Sequence, residues 1–153
     1  MKSNGVLHWL LTTANRLMPD VFTKAKRSEV MSHIRSRGNK DTELALAKLF
    51  RAQHITGWRR YQRIFGKPDF IFRKTKLAVF VDGCFWHGCP KHGTQPKGNR
   101  SFWKKKFSRN KARDLIVNRT LRQHGWRILR IWQHELARKN EPRLLQRIQR
   151  ALV

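Results

Sequence analysis

The first regular pattern of apolar positions along the chain has the spacing of a helix. Asp41 or Thr42 can cap its N-terminus, and apolar side chains follow at i, i+3 and i+4: Leu46, Leu49 and Phe50. Gly57 lies beyond the predicted end of this helix. An earlier basic segment, residues 23–37, is also predicted to be helical and is interrupted by Gly38.

The pattern then changes to that of a sheet. Strands are predicted at about residues 58–65, 69–73 and 77–82, and the third is apolar throughout 77–81, as in a buried central strand. A basic helix at about 101–123, a strand at 128–132 and a short helix at 141–152 complete the pattern. This order predicts an α/β domain with a central mixed β-sheet flanked by helices.

Charge is the strongest feature of the composition. The 153 residues include 35 Lys and Arg against nine Asp and Glu, a formal net charge of +26. Such an excess favours a polyanionic partner, and six Trp and nine Phe can stack on or wedge between bases. Composition alone fits an RNA-coating protein equally well. The apolar stretch 6–11 is too short to cross a bilayer, so no membrane partner is expected.

Cysteine and histidine are concentrated in one loop. Cys84, Cys89 and His92 lie within nine residues, and thiolates and imidazoles are the ligands that zinc prefers. His134, just after the last predicted strand, is the favoured fourth ligand, with His87 as a rival. The pattern indicates metal ligation in a reducing compartment rather than a disulfide. The alternative is two buried thiols and two surface histidines, because the spacing is not that of a standard zinc finger.

Two carboxylates and an imidazole lie close to the predicted central strand. Asp69 enters an apolar segment after Pro68, and Asp82 ends the central strand. A magnesium ion bound by one or two carboxylates and by phosphate oxygens would compensate such a buried charge, although a Pro-Asp dipeptide alone is more often a structural turn. His87 could accept a proton from water beside a metal, whereas a lone histidine is more often structural.

Aromatic side chains form a further group. Phe85 and Trp86 stand in the polar loop, and Phe102 and Trp103 open the long basic helix. Residues that unstack a base step would have this arrangement. The alternative is ordinary packing, because Trp103 and Phe107 at i, i+4 could simply join the helix to the sheet.

Together these segments resemble the very short patch repair (Vsr) endonuclease family. The resemblance runs from about Pro19 to Leu136 and is most specific where residues 81–87 follow Pro68-Asp69-Phe70. It also includes residues 26–31, 39–43 and 125–129. It implies a restriction-endonuclease-like core with a structural zinc site. The implied activity is magnesium-dependent nicking of DNA on the 5′ side of the mispaired thymine in a T·G mismatch.

The resemblance also implies roles for individual residues. Asp69 would bind magnesium together with the backbone carbonyl of Val81, His87 would activate the attacking water, and Glu43 would support the active site. The implied zinc ligands are Cys84, Cys89, His92 and His134. The residues expected at the DNA are Met31, Phe85, Trp86, Trp103, Asn110 and Asp114.

Some positions depart from related patterns. The broader nuclease superfamily has Asp/Glu-x-Lys after its Pro-Asp, whereas Val81 and Gly83 occupy these positions, which favours His87 as the base. Val81 replaces a threonine of the best-known member, a mild change if only the carbonyl binds metal. Asp82 replaces a histidine of that member, so its catalytic role as an extra metal ligand or an electrostatic tuner is open. The spacing of Cys89 and His92 also differs, which leaves open which of them binds zinc more tightly.

We expect residues 18–153 to form the endonuclease domain and residues 1–17 to be an extension of unknown role. The expected partners are double-stranded DNA with a T·G mismatch and a mismatch-repair protein such as MutL. A cytoplasmic, nucleoid-associated monomer is expected. Two alternatives stay open: a zinc-containing nucleic-acid-binding module without catalysis, and a nickase with a different sequence or mismatch specificity.

Overall fold

A computed structural model describes residues 38–93, 96 and 98–153. Its helices and strands, in chain order, are α1 (Glu43–Ala52), β1 (Trp58–Arg59), β2 (Phe70–Phe72), β3 (Leu77–Asp82), α2 (Arg100–Gln123), β4 (Arg127–Trp132) and α3 (Glu141–Leu152). Two 3₁₀ turns, Gln133–Leu136 and Arg138–Asn140, join β4 to α3. Met31, the helix predicted at 23–37 and the extension at 1–17 lie outside the described residues.

The four strands form one mixed sheet in the order β1-β2-β3-β4. β1 and β2 pair antiparallel, as do β2 and β3, whereas β3 and β4 are parallel. A parallel pair needs a crossover connection, and α2 is the helix in that connection. The mixed sheet flanked by helices confirms the predicted α/β class. Among the described residues, no helix combines the length and apolar character needed to cross a bilayer.

Successive residues of β3 point into two different hydrophobic clusters. Leu77 and Val79 belong to the larger cluster, which α1 and α3 cover, and the stripe residues Leu46 and Phe50 are fully buried there. Ala78 and Phe80 belong to the smaller cluster under α2. Because side chains alternate along a strand, burial on both faces explains why β3 is apolar at consecutive positions.

The first strand is shorter than the sequence predicts. A strand is expected at about 58–65, but only Trp58–Arg59 pairs with β2. Tyr61 has a φ of +55°, which no strand can continue, and the amide of Ile64 donates to the carbonyl of Gln62 at 2.9 Å in a tight turn. The predicted cap also differs, because the side chain of Thr42 makes no capping hydrogen bond at the start of α1.

Gly66 lets the turn before β2 pack against α2. Its φ is +77°, and a Cβ there would overlap the γ-methyl carbons of Val117. We expect Gly66→Ala to lower the free energy of unfolding by about 2–4 kcal/mol, because overpacking and left-handed backbone strain act together. Gly57→Ala is the matched control, since Gly57 has a φ of +84° but an added Cβ would meet no atom within 4 Å. Gly57→Ala should lower the free energy of unfolding, measured by urea denaturation, by only about 1 kcal/mol. Equal losses in the two variants would contradict the packing argument.

Candidate active site and metal centre

The pairing of β2 with β3 fixes the position of Asp69. Its amide donates to the carbonyl of Val79 at 3.0 Å, and its Oδ2 accepts a hydrogen bond from the amide of Val81 at 2.7 Å. The start of β2 therefore lies beside the end of β3, which is what the antiparallel register of Phe70 with Val79 requires. Asp69 and Val81, the two predicted magnesium ligands, are brought together.

Acidic residues gather at this end of the sheet although the chain has only nine. Glu43, 4% exposed, accepts from Arg60 Nε at 2.7 Å and from the amide of Gly38 at 2.6 Å. Asp82, 5% exposed, accepts from Arg130 Nε at 2.7 Å. Each of these buried carboxylates thus has an arginine partner, as buried charges require.

Asp69 differs from its acidic neighbours because it has no ion pair among the described residues. Burial raises its pKa from the ordinary 3.8 to about 6, and the nearby charges of Glu43 and Asp82 also raise it. The amide of Val81 and the more distant charge of Arg130 only partly oppose this shift. A fixed carboxylate with an uncompensated charge fits a hard cation such as magnesium, which takes one or two carboxylates plus phosphate oxygens.

His87 lies on the loop between β3 and α2 and faces two carboxylates. Its Nδ1 is 2.6 Å from Asp114 Oδ2 and 3.8 Å from Asp82 Oδ1. A carboxylate oxygen facing Nδ1 favours the tautomer with its proton on Nδ1, and in that tautomer Nε2 is the nitrogen that can accept a proton. The half-buried imidazole therefore has the arrangement of a general base with an orienting partner.

Four metal-ligating side chains converge beside this loop: Cys84, Cys89, His92 and His134. Their ligand atoms all lie within 4.8 Å of one another. His134 Nδ1 is 3.3 Å from Cys84 Sγ and 3.5 Å from Cys89 Sγ. Zinc bonds of about 2.0–2.3 Å in a tetrahedron separate the ligands by roughly 3.6 Å, so the donor set fits a structural zinc ion. His87, the rival ligand, lies outside this cluster.

The parallel pairing of β3 and β4 explains why these ligands meet. Asp82 pairs with Trp132, and Cys84 and His134 each follow two residues later. Asn140 Nδ2 donates to the carbonyl of His134 at 2.7 Å and steadies the turn after β4. A strand-end histidine therefore reaches the loop, as expected for the fourth ligand.

The electrostatics of the cluster also suit a divalent cation. Burial raises the pKa of the Cys84 thiol to about 11, and the adjacent Cys89 raises it further. Burial lowers the pKa of His134, and the neighbouring His92 adds to this effect, so its imidazole stays neutral. A cation bound at this cluster would compensate the negative charge of the Cys84 thiolate. Cys89 is 3% exposed whereas His92 is exposed, which makes Cys89 the more enclosed of the two ligands.

Phe85 and Trp86 pack with aromatic side chains of α2. The ring of Phe85 lies 5.0 Å from Trp86, 5.1 Å from Trp103 and 5.6 Å from Phe107, measured between centroids. Trp103 is only 7% exposed, whereas Phe102 is half-exposed beside it. Phe85 and Trp86, each partly exposed, thus form the accessible side of an aromatic cluster next to His87.

Two polar residues expected at the DNA make internal contacts. Asn110 Nδ2 donates to the carbonyl of Trp86 at 2.7 Å and so ties the loop to α2. Asp114, one helical turn later, holds His87 as described above. Their position on α2 therefore serves the loop directly, whatever further contact they make with DNA.

Comparisons with known proteins decide the family. Residues 19–92 match the family model described as DNA mismatch endonuclease Vsr. The type II nicking enzyme V.NmeDIP of Neisseria meningitidis serogroup C is 41% identical over 135 residues, 87% of this chain and 90% of that protein. The chain belongs to the Vsr endonuclease family. The type II nicking enzyme V.NaeI of Lentzea aerocolonigenes is 42% identical over 120 residues, covering 72% and 69% of the two chains. The DNA mismatch endonuclease Vsr of Escherichia coli K12 is 34% identical over 119 residues, covering 76% and 74%.

Membership in the Vsr family confirms the resemblance drawn from the sequence. The chain is an endonuclease, a hydrolase of phosphodiester bonds. Of the alternatives, a zinc-containing binding module without catalysis does not agree with this family. Membership also suggests a restriction-endonuclease-like core, with which the mixed sheet and its flanking helices are consistent.

Two arginines of the Vsr site were not predicted from the sequence. Arg60 pairs with Glu43, and Arg130 joins Asp82 to Asp114, with Nη2 at 2.8 Å from Asp114 Oδ1. A signal for Arg130 was present, because it interrupts the apolar pattern of residues 128–132 in β4. A charge at that position needs a buried partner, and the parallel strand beside it ends in Asp82. No comparable signal marked Arg60 among so many basic residues.

Proposed function

We propose that this endonuclease nicks duplex DNA on the 5′ side of the mispaired thymine in a T·G mismatch, with magnesium bound at Asp69. Nicking is the activity named for two of the relatives, and mismatched DNA is the substrate in the family description. The observation that carries the active-site assignment is the His87–Asp114 pair at 2.6 Å. Asp82 connects this pair to Asp69, because it lies 3.8 Å from His87 Nδ1 and its charge acts on Asp69. Asp69 is the one acidic residue of the site without an ion pair in the described part of the chain.

Asp69 and the backbone carbonyl of Val81 would hold the magnesium ion. When bound, the ion supplies positive charge to the phosphate under attack and to the oxygen that leaves. Glu43 supports the site from within α1, because its carboxylate is already paired with Arg60. Asp82 is assigned as an electrostatic tuner and not as a metal ligand, because both its oxygens accept from Arg130.

His87 takes the proton from the attacking water at Nε2. During this transfer its Nδ1–H donates to Asp114, which fixes the plane of the ring and stabilises the imidazolium that forms. Asp114 Oδ1 also forms an ion pair with Arg130 Nη2, which holds the carboxylate in place. General base catalysis of this kind contributes roughly 100-fold to 10,000-fold in rate.

The accessible aromatic rings are the proposed means of recognising the mismatch. Phe85 and Trp86 would wedge beside the mispaired bases, which are easier to unstack than a paired step by a few kcal/mol. Because Trp86 immediately precedes His87, the wedge would also determine which phosphate faces the base. Trp103 lies beneath these rings and supports them. Met31, which lies outside the described residues, keeps its proposed contact from the minor-groove side.

The zinc ion is proposed to have a structural duty only. Cys84 and Cys89 enclose residues 85–87, so the ion would hold the aromatic wedge and the base in one fixed loop. Exposed basic residues along α2 would bind the DNA phosphates on either side: Lys104, Lys105, Arg109, Lys111 and Arg113. The resemblance to the Vsr family also leads us to propose that the protein is a monomer and that MutL is a partner.

A nickase with a different sequence or mismatch preference is the second candidate. Two of the relatives are named type II nicking enzymes, and this name does not specify a mismatch. Both candidates use the same active site and differ only in what Phe85, Trp86 and the flanking loops recognise.

A nicking assay on a panel of duplexes separates the two candidates. The substrates carry T·G, another mismatch or none in otherwise identical sequence, repeated in several sequence contexts, with magnesium present. We expect T·G to be nicked at least about 100-fold faster than T·A, since discrimination of about 3 kcal/mol is needed to spare paired DNA. His87→Gln is the control for contaminating nucleases. Equal rates on matched and T·G duplexes would exclude mismatch specificity and favour the second candidate.

A further inference from the structure

We propose that Arg130 is a positioning residue for the nicking reaction: it holds the two carboxylates that face His87 so that the imidazole has one proton acceptor at Nδ1. This proposal rests on the proposed function, because it takes His87 as the group that activates water. Nothing in the family description or in the names of the relatives assigns a role to this position.

The guanidinium of Arg130 uses its planar shape to join both carboxylates. Nε donates to Asp82 Oδ2 at 2.7 Å, and Nη2 donates to Asp82 Oδ1 at 2.9 Å. Nη2 also lies 2.8 Å from Asp114 Oδ1, which forms an ion pair with the guanidinium. Nη1 donates to Asn118 Oδ1 at 2.9 Å. A bidentate fork of this kind fixes the orientation of a carboxylate as well as its charge.

The contacts of the four carboxylate oxygens determine the orientation of His87. Both oxygens of Asp82 are occupied by Arg130, so Asp82 stays 3.8 Å from His87 Nδ1 and does not compete for its proton. One oxygen of Asp114 forms an ion pair with Arg130, and the other lies 2.6 Å from His87 Nδ1. Turning either carboxylate would break bonds to Arg130, so the imidazole keeps one orientation and one tautomer.

Arg130 is itself held by three parts of the fold. It lies in β4 opposite Phe80 of β3, and its guanidinium lies over the Phe80 ring at 4.8 Å. Its carbonyl accepts from Arg147 Nη2 of α3 at 2.9 Å. Asp114 and Asn118 belong to α2. Through Asp114, Arg130 therefore holds His87, a loop residue, in a fixed position relative to the strands and α2.

Charge alone does not account for this arrangement. Buried ion pairs are often no more stabilising than apolar side chains of similar size. A contribution to the stability of the fold therefore does not explain why Arg130 joins two carboxylates. A lysine would keep the positive charge, but one ammonium cannot form the bidentate bond to Asp82 and reach Asp114 in the same plane. Arg130→Lys therefore tests geometry at constant charge.

The experiment measures two quantities on the duplex that the wild-type enzyme nicks fastest: the single-turnover nicking rate at saturating enzyme and the dissociation constant for the duplex. We expect Arg130→Lys to lower the rate about 100-fold, as misplacement of a catalytic group by about 1 Å does, and to change the dissociation constant less than about threefold. Asn118→Ala removes a hydrogen-bond acceptor of the Arg130 guanidinium that does not face His87. It should stay within about threefold of wild type in both quantities.

Two further variants protect the test against a folding defect and against a purely structural role. Asp82→Asn with Arg130→Gln removes both members of the buried pair, so that Asp82 is not left as an uncompensated buried charge, and the variant should also nick slowly. In an Asp114→Asn background, Arg130→Lys should lower the rate by at most about threefold more, because both residues act through His87. The proposal would be overturned if the rate losses of the two single variants multiplied in the double variant. A wild-type rate for Arg130→Lys would also overturn it.

The failure of this proposal can be told apart from failure of the proposed function. If the wild-type enzyme does not prefer T·G, the proposed specificity is wrong, but the Arg130 variants are still compared on a duplex that the enzyme nicks. If His87→Gln nicks as fast as wild type, the assignment of His87 is wrong, and the positioning role of Arg130 is wrong with it. If His87→Gln is slow and Arg130→Lys is not, only the role of Arg130 is wrong.

Discussion

Replacing Asp69 by asparagine is expected to abolish nicking, to leave duplex binding nearly unchanged and to make the metal-free protein more stable above pH 6. The shape of the side chain is kept, and its oxygen can still accept from the amide of Val81. The negative charge that would hold magnesium is lost. Since the ion contributes several kcal/mol to the transition state, the rate should fall by at least about 1,000-fold.

The stability effect follows from the raised pKa of Asp69, about 6 against an ordinary 3.8. The folded protein then binds the proton more tightly than the unfolded chain, so ionising Asp69 destabilises the fold. Stability of the metal-free wild type should fall as pH rises from about 4 to 6 and level off above it, and a shift of two pKa units corresponds to roughly 3 kcal/mol. Asp69→Asn has no ionisable group at this position and so lacks this loss of stability. Its free energy of unfolding should exceed that of wild type at pH 8 and equal it near pH 4.

Magnesium supplies a further check on the same residue. An ion that binds only the folded protein raises its melting temperature, so magnesium should stabilise wild type and leave Asp69→Asn unaffected. Proton and metal compete for one carboxylate, so more magnesium should move the acid limb of the nicking profile to lower pH. Asp41→Asn, which removes one acidic charge at an exposed position, is the control. An active Asp69→Asn enzyme, or one that magnesium stabilises as much as wild type, would contradict this assignment.

Removal of the proposed zinc ion should destabilise the protein and abolish nicking, although its proposed ligands are assigned no contact with the scissile phosphate. Without the ion, Cys84, Cys89 and His134 no longer hold the two ends of the loop that carries Phe85, Trp86 and His87. We expect a chelator to lower the melting temperature by more than about 10 °C, since a structural zinc site contributes many kcal/mol to folding. Nicking should be lost in parallel and restored by added zinc.

Ligand variants distinguish the zinc ion from a general effect of the chelator. Cys89→Ala removes an enclosed ligand and should lose the metal, whereas His92→Ala removes an exposed one and should bind zinc more weakly. His54→Asn lies outside the cluster and should keep one zinc per chain, measured by elemental analysis of the purified protein. A metal-free Cys89→Ala protein that melts and nicks like wild type would rule out the structural role.

Local sequence patterns were sufficient for most of the fold. The apolar run at 77–81 and the stripe of Leu46, Leu49 and Phe50 identified the central strand and the first core helix, because periodic burial is a local property. The length of the first strand was overestimated. Its residues have a high propensity for strands, but the positive φ of Tyr61 ends the strand. Local propensity does not report such backbone turns.

The site was predictable only in part. Cys84, Cys89 and His92 share one loop, so their metal-binding chemistry is visible in the sequence, and His134 could be placed by its position after a strand. The partners of charged residues could not be read in the same way. Arg130 meets Asp114 across sixteen residues and Arg60 meets Glu43 across seventeen, and these pairs exist only after the sheet and α2 have assembled. Asp114 was therefore expected at the DNA and not at His87.

The contacts of Asp82 support the proposed electrostatic role over that of a metal ligand, a choice that the sequence left open. With both oxygens bonded to Arg130 and 3.8 Å between Oδ1 and His87 Nδ1, Asp82 is placed to adjust the electrostatics of the base. Asp69 is left as the carboxylate that can accept a cation. The proposed function thus gives different roles to four acidic residues: Glu43, Asp69, Asp82 and Asp114.

In the proposed mechanism, the aromatic wedge beside His87 directs one cut next to a mispaired thymine. The most direct test is to map the nick on a duplex with a single T·G mismatch, each strand carrying a different end label, in magnesium. We predict one cut, in the strand that contains the thymine and on the 5′ side of that nucleotide, and no cut in the same duplex with T·A. Cuts in both strands, or the same cut in the fully paired duplex, would contradict the account.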